Sequence, residues 1–449
     1  MSPAAVYGLH ARRLAAELRF LKATSGLGLV QLAAHTHCSK SSLERYFNGK
    51  LLPPRQAVEA ISKACNGDTA HLVALWELAV ANPPAWQRPA QLPHDVAGFT
   101  GRSSELDRLT ALVPNAGNAI AIAVIDGIAG VGKSALAVHF AHRVADRFPD
   151  GQLHVDLRGF DAEQMPMPPA EALARFLRAL APDLRHLPTE VGELAALFRS
   201  LIGDRRMLIL LDNAATTDQV RALLPGNAGC LVLVTSRHRL GGLVARDGAH
   251  HIALSTLTAA ESADLLAAAA GVERIAAEPQ AIAGMTRLCG YLPLALRIVA
   301  EHLIVHPSLT MTDLIGDLAS EHRRLDTLAT GDDSTAVRTV FSGSYRALPA
   351  SAARAFRLLG LHDSPDINAS AAVALTGDTP VRTREVLEAL ATAHLIEHQG
   401  PDRYRLHDLL HAYAAERAAA EETAQSLADA RRRLLCACRE FDPCSSGGV

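Results

Sequence analysis

A glycine-rich octapeptide, GIAGVGKS at residues 127–134, combines residue types that bind phosphate groups. Its glycines let the backbone bend so that N–H groups converge on phosphate oxygens, and a following helix adds its positive N-terminal end; they are Gly127, Gly130 and Gly132. The chain has 44 Lys and Arg residues, yet Lys133 is the only lysine after position 63. A compact ammonium reaches between β- and γ-phosphates where a planar guanidinium would not fit. Ser134 is predicted to bind Mg²⁺.

The loop follows an apolar strand pattern and precedes a segment with an apolar helical stripe. Such a loop binds phosphate when it lies between a strand and a helix in this way. The simpler alternative is a glycine-rich turn without a ligand. Val131 and Ala135, inside the loop and directly after it, complete the predicted nucleotide-binding set.

Two charged residues follow other apolar runs. Asp212 ends the run RMLILLD, so it is expected at the carboxyl end of a buried strand, where open α/β sheets bind ligands. There it would bind Mg²⁺ through water, although it could instead cap the next helix. Arg237 ends VLVTSR and can sense a γ-phosphate, its alternative being a surface arginine. Lys133, Asp212 and Arg237 form the predicted catalytic group.

The elements that must position these residues follow from the order of apolar runs. Strand-like runs alternate with helical segments, which predicts a parallel sheet with helices on both faces; the runs are 120–126, 151–157, 206–213 and 230–237. The fold class is thus mainly α with one α/β domain. The predicted parts are a helix-turn-helix bundle (1–80), a proline-rich linker (81–95), the α/β domain (96–257), a helical domain (258–335), a region that ends in a helix–turn–helix–short-strand pattern (336–420) and a tail (421–449).

Composition narrows the function classes. No apolar run has the length of a membrane span, and seven scattered cysteines do not form a disulfide pattern, so we expect a cytoplasmic protein. The net charge is −3, but residues 1–80 carry +4 and the remainder −7. Any contact with nucleic acid is therefore expected at the N-terminal end.

Six motifs occur in one order along residues 96–420, and together they resemble the NB-ARC class of signal-transduction ATPases with numerous domains. The motifs are FTGRSSEL (99–106), GIAGVGKS (127–134), LILLDN (208–213), LVTSR (233–237), CGYLPLAL (289–296) and YRLHDLLHAYA (404–414). The class includes plant resistance proteins and apoptosome-forming adaptors. The sequences VDLRGFD and LVLVTSRHRLGGL most resemble those of actinobacterial regulators of secondary metabolism.

The resemblance implies roles for four further residues. Gly101 and Arg102 would lie against the adenine end of the nucleotide, and Pro293 would pack near adenine or ribose; alternatively, Pro293 simply starts a helix. His407 matches the histidine of the family's Met-His-Asp motif, with leucine in place of methionine. It would reach the β-phosphate of ADP and lock residues 336–420, which the resemblance identifies as a winged helix, against the nucleotide, the alternative being a helix cap.

Two features depart from the family pattern. Asn213 stands where many members have an acidic residue that activates water, and an amide cannot accept a proton at neutral pH. We therefore expect at most slow ATP hydrolysis, used as a switch. The sequence also ends soon after the predicted winged helix without a repeat sensor, so we expect either a short form or a truncated product.

Residues 9–80 resemble the helix-turn-helix of phage-repressor-like regulators. We predict helices at 29–36 and 39–48, with the second entering the major groove of DNA. Its exposed N-terminal side chains would contact bases and two further residues would contact phosphates; these are Lys40, Ser41, Ser42 and Arg45, then Lys50 and Arg55. The alternative is a helical bundle that recruits protein.

These observations predict a switch that binds ADP or ATP with Mg²⁺ and regulates transcription through double-stranded DNA. The ADP form would be closed, and the ATP form would oligomerise. Two alternatives stay open: a defence or signalling switch whose N-terminal helices recruit protein, and an ordinary, rapidly turning over ATPase.

Overall fold

The computed structural model of the chain describes residues 9–81, 88–113, 120–161, 164–182, 187–329 and 336–441. The predicted linker and C-terminal tail therefore lie partly outside the described residues. The chain divides into two compact units, one made of residues 1–89 and 170–203 and the other of residues 90–169 and 204–449. The glycine-rich loop belongs to the second unit and the predicted helix-turn-helix to the first.

Most of the described residues are helical. The helices are α1 Leu9–Ser25, α2 Leu29–Thr36, α3 Lys40–Phe47, α4 Arg55–Ala64, α5 Thr69–Ala81, α6 Ser103–Ala111, α7 Lys133–Val144, α8 Pro169–Leu180, α9 Val191–Ile202, α10 Thr217–Arg221, α11 Gly241–Asp247, α12 Ala259–Ala270, α13 Val272–Ala276, α14 Pro279–Leu288, α15 Pro293–Val305, α16 Met311–Ala319, α17 Glu321–Thr327, α18 Val337–Arg346, α19 Ala350–Leu359, α20 Ala369–Thr376, α21 Pro380–Thr392, α22 Asp408–Glu421 and α23 Ala424–Phe441. The strands are β1 Ala121–Asp126, β2 Gln152–Asp156, β3 Leu208–Ala214, β4 Leu231–Ser236, β5 His250–Ala253, β6 Asp366–Asn368, β7 Glu397–Gly400 and β8 Arg403–Arg405. Within this described part, no helix is both long and apolar enough to cross a membrane.

Local signals define the helix-turn-helix. The Ser39 hydroxyl accepts a hydrogen bond from the backbone N–H of Ser42 at 3.1 Å, which caps the start of α3. Gly49 adopts φ +63°, the left-handed conformation that follows many helix ends. Leu32 and Leu43 are fully buried in a common core of α1 to α5. The predicted helices at 29–36 and 39–48 are confirmed to within one residue at each end.

The second unit is built on a five-stranded parallel sheet with the order β2-β3-β4-β1-β5. The four predicted strands are confirmed. The edge strand β5 was not predicted, because its four residues HHIA contain no apolar run and only Ile252 is buried. Parallel pairing brings the carboxyl ends of all five strands to one edge of the sheet, which is where the glycine-rich loop follows β1.

The helices after the sheet share a hydrophobic core with α6 and α7, and this core includes Leu136, Leu296, Phe341 and Leu410. Near the C-terminus, β6, β8 and β7 form an antiparallel sheet in that order. The succession α19, β6, α20, α21, β7, β8 is the element order of a winged helix. One core thus connects the glycine-rich loop to helices that lie two to three hundred residues later.

Candidate functional site

A cavity of about 350 Å³ opens at the carboxyl edge of the parallel sheet. It brings together residues that the sequence distributes over more than 160 positions; those predicted as site residues are Gly130, Gly132, Lys133, Ser134, Ala135, Asp212, Arg237 and Pro293. The loop closes against the start of α15, since the backbone N–H of Leu294 donates to the Gly130 carbonyl at 3.2 Å. Gly130 adopts φ +83°, and a β-carbon there would approach Leu294 to 3.2 Å, so the position requires glycine.

Lys133 is almost completely buried at the centre of the loop. Its ammonium donates hydrogen bonds of 2.8 Å to the carbonyls of Gly127 and Ile128. Burial and the charge of Arg237 lower the pKa of Lys133 to about 7, against the opposing influence of Asp212 and Asp126. Two cations that share a buried cavity are stabilised by an anionic ligand, so this loop fits a phosphate group.

Ser134 and Asp212 lie side by side, although 78 positions separate them. The Ser134 hydroxyl donates to Oδ1 of Asp212 at 2.7 Å. The Thr235 hydroxyl donates to the same carboxylate oxygen from the neighbouring strand β4. Hydroxyl and carboxylate oxygens are the ligands that Mg²⁺ prefers in proteins, and the donor set here fits that ion.

A second, smaller cavity of about 40 Å³ adjoins the first and shares four lining residues with it: Gly132, Ala135, Pro293 and Arg297. Arg102 and Val131 also line it. The Arg102 guanidinium donates to the Val131 carbonyl at 3.2 Å, so it attaches the FTGR segment to the glycine-rich loop.

Gly101 lies beside this second cavity without lining it. It adopts φ +72°, and a β-carbon there would lie 2.5 Å from Oε1 of Glu261. That oxygen instead accepts a hydrogen bond from the backbone N–H of Arg102 at 2.8 Å. Gly101 therefore allows a close backbone approach that positions Arg102.

Arg237 connects the 350 Å³ cavity, called the main cavity from here on because it contains the glycine-rich loop, to the C-terminal helices. Its guanidinium donates to the carbonyl of Val340 at 2.5 Å and to the hydroxyl of Ser344 at 3.3 Å, both on α18. It also lies over the ring of Phe160, 5.4 Å from the centroid. Burial lowers the pKa of Arg237 to about 10, so it stays a cation at neutral pH.

His407 does not line either cavity. Its Nδ1 accepts a hydrogen bond from the backbone N–H of Leu409 at 3.2 Å, which caps α22. The other ring nitrogen, Nε2, therefore carries the proton and donates to the Gly290 carbonyl at 2.7 Å. A β-carbon at Gly290 would lie 2.3 Å from the ring. His407 thus joins the winged helix to the loop that precedes Pro293.

Acidification should destabilise the folded chain at His407, because a protonated Nδ1 can no longer accept the hydrogen bond from the Leu409 N–H that caps α22. Burial lowers the pKa of His407 below its usual 6.5, with the Gly290 carbonyl and the Asp408 charge opposing it. As the pH falls through 6.5 the unfolded chain takes up a proton before the folded chain does, so stability declines. We expect the melting temperature to fall from pH 7.5 to pH 5.5, and to fall less in His407→Gln, which keeps a donor for Gly290.

The matched control is His411→Gln, because His411 also hydrogen-bonds a backbone carbonyl, that of His362 at 2.8 Å. Differential scanning fluorimetry at both pH values gives the comparison. If the melting temperature falls equally in wild type and in His407→Gln, the pH dependence does not come from His407 and the assignment is wrong.

Sequence reasoning did not single out five of the residues that line the cavity: Asp156, Thr235, Ser236, Leu294 and Arg297. Asp156 ends the apolar strand QLHVD, so the rule that identified Asp212 also applies to it. Arg297 lies one helical turn after Pro293, and its guanidinium donates to the Ala97 carbonyl at 3.2 Å. No local pattern indicates that Arg297 faces the cavity, because that depends on how α15 packs.

The side chains predicted to contact DNA lie in the first unit. Lys40, Ser41 and Arg45 are exposed on α3, whereas Ser42 is half-buried and accepts a hydrogen bond from the Ser39 hydroxyl at 2.8 Å. Lys50 is half-buried.

Arg55 forms ion pairs within its own unit, with Glu59 at 3.1 Å and with Glu77 at 3.4 Å. A phosphate contact by Arg55 would have to compete with these two carboxylates.

Comparisons with known proteins agree with this architecture. A family model described as a helix-turn-helix domain matches residues 13–76. The regulatory protein AfsR of Streptomyces coelicolor is 45% identical over 360 residues, which are 78% of this chain and 35% of that protein. AfsR of Streptomyces griseus is 44% identical over 339 residues, which are 75% of this chain and 34% of that protein. The chain thus spans about a third of the length of these relatives.

Among solved structures, a signal-transduction ATPase with a tetratricopeptide repeat sensor from Pyrococcus horikoshii is 19% identical. The match covers 78% of this chain and 49% of that one, with a TM-score of 0.32. The fold assignment therefore comes from the sheet order and the phosphate loop of the chain itself. Over about three quarters of its length the chain is therefore a homologue of the AfsR regulatory proteins; its parallel sheet and glycine-rich loop form a P-loop α/β domain, and it carries a helix-turn-helix domain at its N-terminal end.

Proposed function

We propose that this protein is a nucleotide-dependent switch that regulates transcription in the cytoplasm by binding DNA. ADP or ATP would bind in the main cavity, with its phosphates on the glycine-rich loop and its base towards Arg102 and Pro293. Mg²⁺ held by Ser134 and Asp212 would neutralise charge on the phosphate oxygens. The helix-turn-helix would bind double-stranded DNA through Lys40, Ser41 and Arg45, with Lys50 on a phosphate.

The contact of Arg237 with α18 supports this proposal most directly. One guanidinium lines the main cavity and also donates to the Val340 carbonyl at 2.5 Å. A γ-phosphate is a stronger acceptor than a neutral carbonyl. ATP would therefore draw Arg237 away from α18, whereas ADP, which lacks the γ-phosphate, would leave this contact in place.

The hydrogen bond between His407 and Gly290 provides a second tie between the C-terminal helices and the rest of the second unit. With both ties in place the chain would be closed and monomeric. ATP would release the C-terminal helices and expose a surface for self-association. Assembly would place several helix-turn-helix domains together, and avidity would turn weak single contacts with DNA into tight binding.

Hydrogen exchange of the α18 amides tests the role of Arg237. In wild type we expect faster exchange with a non-hydrolysable ATP analogue and Mg²⁺ than with ADP, by about 10- to 100-fold, since hydrogen bonds to charged groups contribute about 1.5–3 kcal/mol. In Arg237→Ala, α18 should exchange at the faster rate with either nucleotide.

The matched control is Arg338→Ala. Arg338 lies on α18 and donates to Glu416 at 2.9 Å, but it does not line the cavity. Its loss should loosen α18 equally with both nucleotides while preserving the difference between them. Identical exchange of wild-type α18 with ADP and with the ATP analogue, at saturating concentrations of each, would show that Arg237 does not report the γ-phosphate.

A further inference from the structure

The main cavity contains a second carboxylate, that of Asp156, at the carboxyl end of β2. Asp156 pairs in register with Asp212 on the adjacent parallel strand β3. Directly paired residues of parallel strands place their side chains on the same face of the sheet, and the Asp212 side chain contacts Ser134 on that face. Asp156 is exposed, whereas its neighbour Val155 is buried.

The charges near His154 agree with this placement. His154 lies two residues before Asp156 on β2 and therefore on the same face of the sheet. Burial lowers the pKa of His154, and the charges of Asp212 and Asp156 both oppose that shift. Both carboxylates therefore lie near one side chain.

Backbone contacts hold Asp156 in this position. After β2 the chain turns across the end of β3, where Leu157 N–H donates to the Asp212 carbonyl at 2.8 Å and Gly159 N–H donates to the Asn213 carbonyl at 2.7 Å. A β-carbon at Gly159 would lie 2.4 Å from that carbonyl oxygen, so the close approach requires glycine. The Arg158 N–H donates to Oδ1 of Asp156 at 2.8 Å and orients the carboxylate.

Asn213 lines the same cavity but cannot act as a general base. Its amide cannot take a proton from an attacking water at neutral pH, whereas a carboxylate can. Asp156 lies one strand away, next to the predicted Mg²⁺ ligand and in the cavity that Lys133 and Arg237 line. Among the lining residues of this cavity, the carboxylates are those of Asp156 and Asp212, and Asp212 is already engaged by two hydroxyl groups.

We propose that Asp156 is the general base for ATP hydrolysis in this protein, a role that rests on the proposed nucleotide binding. Asp156 accepts a proton from water as the water oxygen forms a bond to the γ-phosphorus. The bond between the γ-phosphorus and the β,γ-bridging oxygen breaks, and its electron pair leaves with ADP. The proton then passes from Asp156 to solvent or to the released phosphate.

Single-turnover hydrolysis of γ-labelled ATP with MgCl₂ by the full chain tests this assignment, alongside equilibrium binding of fluorescent ADP and ATP. Asn at position 156 keeps the oxygen that accepts from Arg158 N–H but cannot act as a base. We expect Asp156→Asn to lower the rate by about 100-fold or more, the contribution typical of general-base catalysis. Both nucleotide affinities should stay within about threefold of wild type.

Asp156→Ala separates catalysis from support of the turn, because it removes the hydrogen bond as well as the base. If Asp156 only stabilises the turn, Asp156→Ala will be impaired and Asp156→Asn will hydrolyse ATP at the wild-type rate, which overturns the proposal. Adding Asn213→Asp to Asp156→Asn should restore part of the rate. Asn213 adopts φ +56°, a conformation that aspartate also tolerates.

The failure of this assignment is distinguishable from failure of the proposed function. Wild-type protein that binds ATP but shows no Mg²⁺-dependent hydrolysis would overturn the role of Asp156 and leave nucleotide binding intact. Wild-type protein that binds neither nucleotide would overturn both.

Discussion

Lys133→Ala should abolish the retention of nucleotide, so that wild-type protein purifies with tightly bound ADP and the variant purifies without it. The Lys133 ammonium lies at the centre of the glycine-rich loop, where its present partners are two backbone carbonyls that a phosphate would replace. A ligand that binds only the folded state stabilises it by about 2.7 kcal/mol at a concentration one hundred times its Kd. ADP should therefore raise the melting temperature of wild type and leave that of Lys133→Ala unchanged.

The diagnostic quantity is the rise in melting temperature on adding ADP, and not the melting temperature itself. A buried amine whose pKa is lowered to about 7 destabilises the empty protein, so Lys133→Ala removes this effect along with the ligand. The matched control is Lys63→Ala, since Lys63 is exposed on α4 in the other unit. Nucleotide content is measured by chromatography after denaturation. Wild-type protein that purifies without nucleotide and does not respond to ADP would refute the assignment of the cavity.

His407→Ala should shift the protein towards larger assemblies that bind DNA more tightly and depend less on added ATP. The variant loses the hydrogen bond to Gly290 and the cap of α22. If the contact with Gly290 forms only in the closed state, its loss favours the open state by that free energy, about 1–3 kcal/mol. The open population should therefore rise roughly 5- to 150-fold. His407→Gln serves as a comparison, because it retains a donor for the Gly290 carbonyl.

Arg45→Ala in the same background separates assembly from DNA recognition. Arg45 is exposed on α3 in the first unit, so its replacement should abolish sequence preference on DNA and leave assembly intact. Size-exclusion chromatography reports assembly, and DNA binding is measured at two salt concentrations because phosphate contacts make affinity salt-dependent. Assembly of His407→Ala without DNA affinity at low salt would make the N-terminal helices a protein-recruiting module, while the switch itself would stand.

The sequence determined the features of this protein that depend on neighbouring residues. Glycines that reach positive φ and the single late lysine identified the phosphate loop, and apolar runs located four strands. Ser39 and Gly49 marked the ends of α3. Asp212 was placed correctly because the carboxyl ends of parallel strands meet at one edge whatever the remaining topology. These signals act over a few residues, so they can be recognised without the fold.

Tertiary structure alone decided which distant groups these side chains contact. Arg237 donates to a carbonyl 103 positions later and His407 to one 117 positions earlier. Such contacts depend on how α18 and α22 pack into the hydrophobic core that they share with α6 and α7, and no local pattern encodes that packing. Asp156 is a further example: the sequence indicates that it ends a strand, but it does not indicate which residue lies beside it. Strand order places β2 beside β3, and only that pairing brings the second carboxylate next to Asp212.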